Sequence, residues 1–367
     1  MMRSSDGLLS PIFLRERLWI GVILSKIAIR VDANEIIATG HVMRSLTIAN
    51  ALRRHGADVR FISADNGVRP YVSKENFNLY ILGSDWNDMD SEVADLVKYL
   101  QAEDIHKIFV DSYQVSEHYF QELSNAGISV TYIDDLCKKA YPVDRLVNYC
   151  PAAVSLGYEA MYADRTELRL GSAYIPLRDQ FRDHTCTDGQ GLLITAGGSD
   201  SMRIADKIIH RILNERGLGF ADGPKGRLHL LAGRFYNPSE EILSYVSDGR
   251  LILHQNVDNV AEIMAGCRAA ISSAGTTLFE LSSVGVPTAS FVFVDNQMTD
   301  ALYFDREGLM PYIGDFRVSE NRCLERMIDW LYEIGGVSSE ERMKRGRRLR
   351  EMIDGRGADR IAEALVG

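Results

Sequence analysis

His41 stands where a strand gives way to a helix, a position from which an imidazole can act as a base toward a bound ligand. Ile27 to Val31 is a short apolar, β-branched run, and Val42, Leu46, Ala49 and Leu52 then recur at helical spacing. The segment from Asp32 to Thr39 therefore joins a buried strand to a helix. In an open α/β sheet such loops lie at the carboxyl ends of the strands, where ligands bind, and the first helical turn offers unpaired N–H groups to an anion. Gly40 lets the backbone approach a ligand closely, and an imidazole, titrating in general near pH ~6.5, is a usable base at neutral pH. Taken alone, a Gly-His pair also reads as a tight turn with a polar cap residue. Arg30, Asp32 and Arg44, all within a strand and a helical turn of His41, shift the reading toward a site.

Three loops in the second half have compositions suited to phosphate and sugar. Ala196-Gly197-Gly198-Ser199-Asp200 follows one apolar run and precedes an amphipathic one, so its amides can line an anion. Ser272-Ser273-Ala274-Gly275-Thr276-Thr277 opens a helix with Glu280 one turn in. Hydroxyls and amides there suit a diphosphate, and the carboxylate suits a ribose diol; a capping motif with Glu280 as reciprocal cap is the competing reading. Asp295-Asn296-Gln297 could meet sugar hydroxyls with its amide side chains, or form a turn and helix cap. The chain lacks the P-loop pattern, the G-x-G-x-x-G dinucleotide fingerprint, the G-x-S-x-G elbow and H-E-x-x-H. What remains is nucleotide-sugar binding, with no metal and no cofactor expected.

These loops need a scaffold. The 367 residues, 46% apolar and 25% charged, can bury a full core and suggest about two domains. A net charge of −10 and the absence of a basic, aromatic-interleaved patch argue against a nucleic-acid partner, and the basic run Lys344 to Arg350 reads as a solvated helix face. Cysteines 137, 150, 186, 267 and 323 are scattered without metal-ligand spacing and read as reduced cytoplasmic thiols. Leu18 to Leu24 is too short to span a bilayer, which takes about 20 apolar residues, so membrane insertion is not expected. Residues 1–25 read as a dispensable extension, such as an upstream start codon would add.

From Ile27 the chain alternates apolar runs with amphipathic segments. Strands are expected at residues 27–31, 59–63, 79–82, 108–110 and 129–133, with helices such as 90–101 and 117–126 between them. Residues 145–190 are less regular, and the polar stretch 179–190 resembles an interdomain linker. A second series places strands at 192–195, 228–231, 251–253, 269–272 and 288–292, and from about Ser319 the pattern is helical only, free to pack back over a sheet. The organisation is an extension (1–25), a first Rossmann-like domain (26–180), a second (190–318) and C-terminal helices (319–367). Two parallel-sheet α/β units put the ligand site in the cleft between them.

The motifs R-V-D-A-N-x-x-x-A-T-G-H-V-M-R, T-A-G-G-S-D, S-S-A-G-T-T-L-F-E-L-x-x-V-G-V-P and V-D-N-Q occur in that order. With them the chain resembles the UDP-2,4-diacetamido-2,4,6-trideoxy-β-L-altropyranose hydrolases of pseudaminic acid biosynthesis, related to spore-coat polysaccharide proteins and, more distantly, to the peptidoglycan glycosyltransferase that makes lipid II. The resemblance runs from about Ile27 to Asp354-Gly355-Arg356-Gly357-Ala358. It implies the GT-B fold, two Rossmann-like domains facing each other across a cleft, with UDP held mainly by the second, and a place in surface-polysaccharide or flagellin glycosylation.

Residue by residue, the resemblance makes His41 the general base that activates water for inverting attack at the anomeric carbon. It places Asp32 and Arg30 near the sugar, with Gly40 and Arg44 beside them, and gives Tyr113, in Val110-Asp111-Ser112-Tyr113, the positioning of that water. Gly197, Gly198, Ser273, Ala274, Gly275, Thr276 and Glu280 match the nucleotide loops, Asn296 and Gln297 the sugar and phosphate contacts, and backbone around Asn256 and Val257 would read uracil. Asp32 is expected to orient the imidazole or stabilise its cation. Ala38 departs from the family, which commonly has glycine there, so the loop is expected to bend differently. Asn34, Glu35 and Ile36 stand in place of the glycines of a peptidoglycan-type transferase loop, which favours the hydrolase over a GT-B glycosyltransferase using a UDP-sugar donor. A nucleotide-sugar-binding scaffold without turnover is the third reading, and the retained Asp32, His41 and Tyr113 speak against it.

Overall fold

Strand and helix alternate along the chain so that each strand returns parallel to its neighbours, and two separate sheets result. The computed structural model describes residues 25–34, 36–37, 39–163, 165–197, 200, 202–215, 228–233 and 235–367. The expected N-terminal extension up to residue 24, and Ala38 and Gly198, lie outside the described residues.

The first sheet comprises β1 (Lys26–Val31), β2 (Asp58–Ser63), β3 (Asn78–Ile81), β4 (Lys107–Asp111), β5 (Ser129–Ile133), β6 (Arg145–Asn148) and β7 (Glu167–Leu170), in the order β3-β2-β1-β4-β5-β6-β7. Its helices are α1 (Gly40–Arg54), α2 (Arg69–Lys74), α3 (Val93–Ala102), α4 (Glu117–Asn125) and α5 (Tyr158–Tyr162), and the short α6 (Asp179–Asp183) leads onward. The second sheet comprises β8 (Gly191–Thr195), β9 (Leu228–Ala232), β10 (Ile252–Gln255), β11 (Cys267–Ser273), β12 (Thr288–Val292) and β13 (Tyr312–Asp315), in the order β10-β9-β8-β11-β12-β13. Around it lie α7 (Ile204–Asn214), α8 (Glu240–Ser247), α9 (Val260–Ala265), α10 (Thr277–Val284), α11 (Met298–Arg306), α12 (Glu320–Gly336) and α13 (Ser339–Met352), and α14 (Gly357–Val366) closes the chain.

Both strand orders reverse once, between β1 and β4 in the first sheet and between β8 and β11 in the second. At such a reversal the flanking helices leave on opposite faces and open a crevice at the strand carboxyl ends. The strands are apolar on both faces, as buried parallel strands are. Along β1, Ile27, Ile29 and Val31 join the core under α1, and Ala28 joins the core under α3 and α4. In β8, Leu192 and Ile194 face one core and Leu193 the other.

The less regular stretch that begins at Arg145 contains β6 and β7, short strands at one side of the sheet whose few residues give no long alternation to read. β13, an edge strand of four residues, was likewise not expected. The tail divides. α12 contributes Met327 and Leu331 to the second domain's core, and α13 contributes Leu349. α14 instead crosses back and buries Ala358, Ile361, Ala362 and Leu365 beside α1 in the first domain's core. The crossing is tight: a Cβ on Gly357 would lie 2.2 Å from the Ile175 carbonyl oxygen, and Gly355 has φ +75°. Glycine at both positions is what allows the returning chain to pass the linker. Arg54 of α1 then bridges Asp179 and Asp359.

Ile361→Ala is expected to destabilise the first domain by about 2–5 kcal/mol, the usual cost of emptying a buried aliphatic site. Thermal unfolding checks this, and an unchanged Tm would contradict the packing of α14 on α1.

Candidate active site

Loops from both strand-order reversals open into one cleft. In the first domain, α1 begins one residue before His41, and His41 and Arg44 share a face of that helix because they are three residues apart. Asp111 ends β4, the strand beside β1, and its buried carboxylate meets both. His41 Nδ1 donates to Asp111 Oδ1 in a short hydrogen bond. Arg44 donates from Nε to Asp111 Oδ2 and from Nη2 to Oδ1, both at 2.6 Å. Its Nη1 reaches Asp135 Oδ2 at 2.7 Å and the Tyr149 hydroxyl at 2.9 Å. With Nδ1 carrying its proton toward a carboxylate, the lone pair of the neutral imidazole lies on Nε2. No described residue bonds Nε2.

Tyr113 completes this corner. Its ring meets the imidazole edge-on with centroids 4.6 Å apart, and its hydroxyl donates to Asp135 Oδ2 at 2.8 Å. Burial and the nearby Asp135 push the phenol well above its ordinary range, so it acts as a neutral donor.

The sequence reading assigned the carboxylate partner of the imidazole to Asp32, and the structure corrects this. Asp32 pairs with Arg30 at 2.6 Å and accepts from Ser63 Oγ and the Ala64 amide, both at 2.9 Å. It lines the pocket without touching His41. Arg30, expected near the sugar, is 0% exposed and grips Glu92 from Nε at 2.7 Å and Nη2 at 3.0 Å. It lies beneath the pocket floor, because two carboxylates hold a guanidinium that has no path to solvent. Arg44, expected to bind substrate, lines the cleft but is committed to Asp111 and Asp135. Gly40 lines the cleft, and a Cβ there would meet nothing within 4 Å.

In the second domain a cavity of 530 Å³ is lined by Gly197 after β8, by Ser273, Gly275 and Thr276 after β11, and by Asn256, Val257, Glu280 and Gln297. Asn256 adopts φ +56°, a conformation asparagine tolerates, and turns the chain into the cavity wall. Gln297 accepts from the Phe293 amide at 3.0 Å through Oε1, which leaves its amide nitrogen for a ligand. Ala274 is 1% exposed, and its amide is spent on the Phe291 carbonyl, so it supports the loop without lining the cavity. Asn296 is exposed and lies outside the lining. Burial pushes the Glu280 carboxyl up to about 7, opposed by Arg178, whose Nη2 stands 3.5 Å from Glu280 Oε1.

A third cavity of 910 Å³ joins the two sites. His41, Arg44, Tyr113 and Tyr149 line it from the first domain, Ile175 to Arg178 from the linker, and Thr276, Phe279 and Glu280 from the second. Sequence reasoning missed Asp111, Asp135, Tyr149 and Arg178. Asp111 had one available signal: it ends a strand two residues before Tyr113.

Two sheets with reversal-point loops meeting across a cleft define the GT-B fold, and solved structures agree. MurG of Acinetobacter baumannii superposes with a TM-score of 0.63 at 12% identity, covering 93% of this chain and 99% of its own. Os79 of O. sativa, solved in complex with UDP, gives 0.63 at 11% identity with the same two coverages. No protein-family model matches the sequence.

Among curated proteins, an uncharacterized protein of Methanocaldococcus jannaschii is 24% identical over 306 residues; the match spans 76% of this chain but 58% of that one. The UDP-2,4-diacetamido-2,4,6-trideoxy-beta-L-altropyranose hydrolase of Campylobacter jejuni is 21% identical over 295 residues, 77% of this chain and 97% of the relative. Among the described residues, no helix is long and apolar enough to cross a membrane.

Burial alone would raise the Asp111 carboxyl, but the charge and hydrogen bonds of Arg44, with help from His41, hold it below the ordinary carboxylate range. A depressed folded pKa stabilises the fold above the unfolded value, ordinarily about 3.9, and that contribution is lost as pH falls through the folded value. Asp111→Asn should therefore shrink the loss of stability below pH ~4. At neutral pH it should cost about 3–5 kcal/mol, because it removes the carboxylate that takes two of Arg44's charged hydrogen bonds and leaves the buried guanidinium to Asp135 alone. Urea unfolding across pH 2 to 7 checks both, and an acid limb identical to the parent's would contradict the pairing.

Proposed function

We propose that this protein is a UDP-sugar hydrolase that releases UDP from a 2,4-diacetamido-2,4,6-trideoxyhexose by attack of water at C1 with inversion. The observation that carries the reading is the contact of His41 Nδ1 with the Asp111 carboxylate, with Nε2 bonded by no described residue, on a side chain that lines both the small pocket of the first domain and the interdomain cleft. Support also comes from the likeness to a named hydrolase over 97% of that relative's length.

In this mechanism the uridine occupies the second-domain cavity, with Asn256 and Val257 backbone toward the base and Glu280 accepting from the ribose diol. The diphosphate meets Ser273, Gly275 and Thr276 at the start of α10, where the helix dipole and hydroxyls favour negative charge. Water on Nε2 loses a proton to the imidazole as its oxygen bonds to C1. The C1–O bond to UDP breaks, and its electron pair leaves on the β-phosphate oxygen. Asp111 stabilises the imidazolium, which returns its proton to solvent, and the Tyr113 hydroxyl, its proton hydrogen-bonded to Asp135, orients the water by accepting from it. The second-domain dipoles receive the leaving-group charge in place, without reorganising.

A GT-B glycosyltransferase is the second reading, favoured by the size of the 910 Å³ cleft and its apolar residues Met43, Ile175, Leu177 and Phe279. In it an acceptor hydroxyl takes the place of water at Nε2. The two readings separate on one assay: UDP release from the diacetamido sugar nucleotide with no acceptor, with UDP-GlcNAc as control. Acceptor-free release from the first supports hydrolysis, and release only on adding an acceptor supports transfer.

His41→Asn should lower kcat by about 10²- to 10⁴-fold, the usual worth of a general base, while UDP still binds. Unchanged turnover would make His41 structural. Because the Glu280 carboxyl sits at about 7, UDP affinity should weaken as pH falls through that value and the acceptor is protonated. Glu280→Gln should flatten the dependence, and calorimetric titration from pH 5.5 to 8.5 reads both effects.

A further inference from the structure

Next to the interdomain cleft, and sharing Ile37, His41 and Tyr113 with it, lies a smaller pocket of 240 Å³. That is room for about eight waters at ~30 Å³ each. It is too small for a nucleotide and ample for a substituent of one sugar ring. Its walls differ in kind. Ile36, Ile37 and Trp86 bring apolar surface to it, and Asp32, Ser112 and Gln114 bring polar groups. Among the described residues no lysine or arginine lines it, and its two carboxylates, Asp32 and Asp111, do not favour an anionic group.

One buried network builds both walls. Arg30 holds Asp32 on one side and Glu92 on the other, and Glu92 accepts from Ser84 Oγ in the loop that carries Trp86. Within that loop Asp85 Oδ1 accepts from the Asn87 amide at 2.9 Å, closing a turn around Trp86. On the first-loop side, Asn34 Oδ1 accepts from the amides of Ile36 and Ile37 at 2.9 and 2.8 Å, which fixes the facing apolar residues. Gln114 Oε1 accepts from Ser112 Oγ at 3.2 Å, which leaves the amide nitrogen of this lining residue to donate to a ligand.

We propose that this pocket is the N-acyl subsite of the enzyme and that Trp86 determines its specificity: an acetamido group of the sugar packs its methyl on Trp86 and Ile37 and exchanges hydrogen bonds with Gln114 and Asp32. An acylamide is the small neutral substituent with a methyl, a donor and an acceptor together, which the mixed lining rewards. A hydroxyl would leave the indole and isoleucine faces uncovered, and a bare methyl would leave Gln114 unpaired. Arg30 holds Asp32 directly and the Trp86 loop through Glu92. The proposal rests on the reading of the cleft as a nucleotide-sugar site.

Calorimetric titration of the His41→Asn protein, in which turnover is slowed, tests it with three probes: UDP, the UDP-linked diacetamido sugar, and a UDP-6-deoxyhexose lacking acyl groups. The diacetamido probe should bind at least about tenfold tighter than the acyl-free one. Adding Trp86→Ala should remove most of that preference and leave the affinity for UDP itself unchanged, and Trp86→Phe should restore part of it. Equal preference with and without the indole would overturn the proposal, as would no preference in the His41→Asn parent. Absence of UDP binding would overturn the nucleotide-sugar reading and this subsite with it. Trp86-dependent acyl preference in a protein that hydrolyses neither probe would support the subsite and overturn the hydrolase reading alone.

Discussion

A buried carboxylate between a guanidinium and an imidazole constrains the rest of the site. Asp111 has no solvent to share its charge with, so its environment must supply it, and Arg44 does so with two hydrogen bonds at 2.6 Å. Arg44 is in turn held by Asp135 and Tyr149, and Asp135 holds the Tyr113 hydroxyl. Pulling one member out leaves another buried and unpaired, which is costly, so the set holds together as a unit. Its consequence for chemistry is local: the Asp111 carboxylate favours the imidazole proton on Nδ1, and no described residue bonds Nε2.

The fold makes this arrangement possible by placing β4 beside β1. Residues 41 and 111 are far apart in sequence, yet each lies at the carboxyl end of one of two adjacent strands, where the strand order reverses. The second domain repeats the device between β8 and β11, and there it exposes glycine, hydroxyls and the start of α10 in place of a base. One reversal point suits general-base chemistry and the other suits an anion. α14 ties them together, since it follows the second domain in the chain but packs in the first domain's core along the helix that carries His41. Chemistry across the cleft needs both halves held in register, and Gly355 and Gly357 allow the return crossing that links them.

Much of this was legible from local pattern. The change of period around Asp32 to Thr39 located His41, and hydroxyl-rich and glycine-rich strand ends located Gly197, Ser273, Thr276 and Glu280 in what proves to be a cavity wall. What the local pattern could not provide was partnership across space. Asp32 looked like the carboxylate for His41 because it is near in sequence, whereas the sheet gives that role to Asp111 and turns Asp32 toward Arg30. Arg30 read as a ligand contact because its burial depends on Glu92, 62 residues away. Trp86 carried no signal, since a lone tryptophan in a polar loop becomes a pocket wall only through the Ser84 to Glu92 anchor. β6, β7 and β13 are short strands at or near sheet edges, where neighbours and not alternation decide the conformation.

In the proposed reaction water on His41 Nε2 attacks C1, and the bond from C1 to the phosphate oxygen is the one that breaks. Running the reaction in ¹⁸O-labelled water, with the released sugar followed by NMR and both products by mass spectrometry, tests it most directly. The account predicts label in the anomeric hydroxyl of the free sugar, none in UDP, and an inverted anomer as the first product. Label in the UDP phosphate, or a first product of retained configuration, would contradict it.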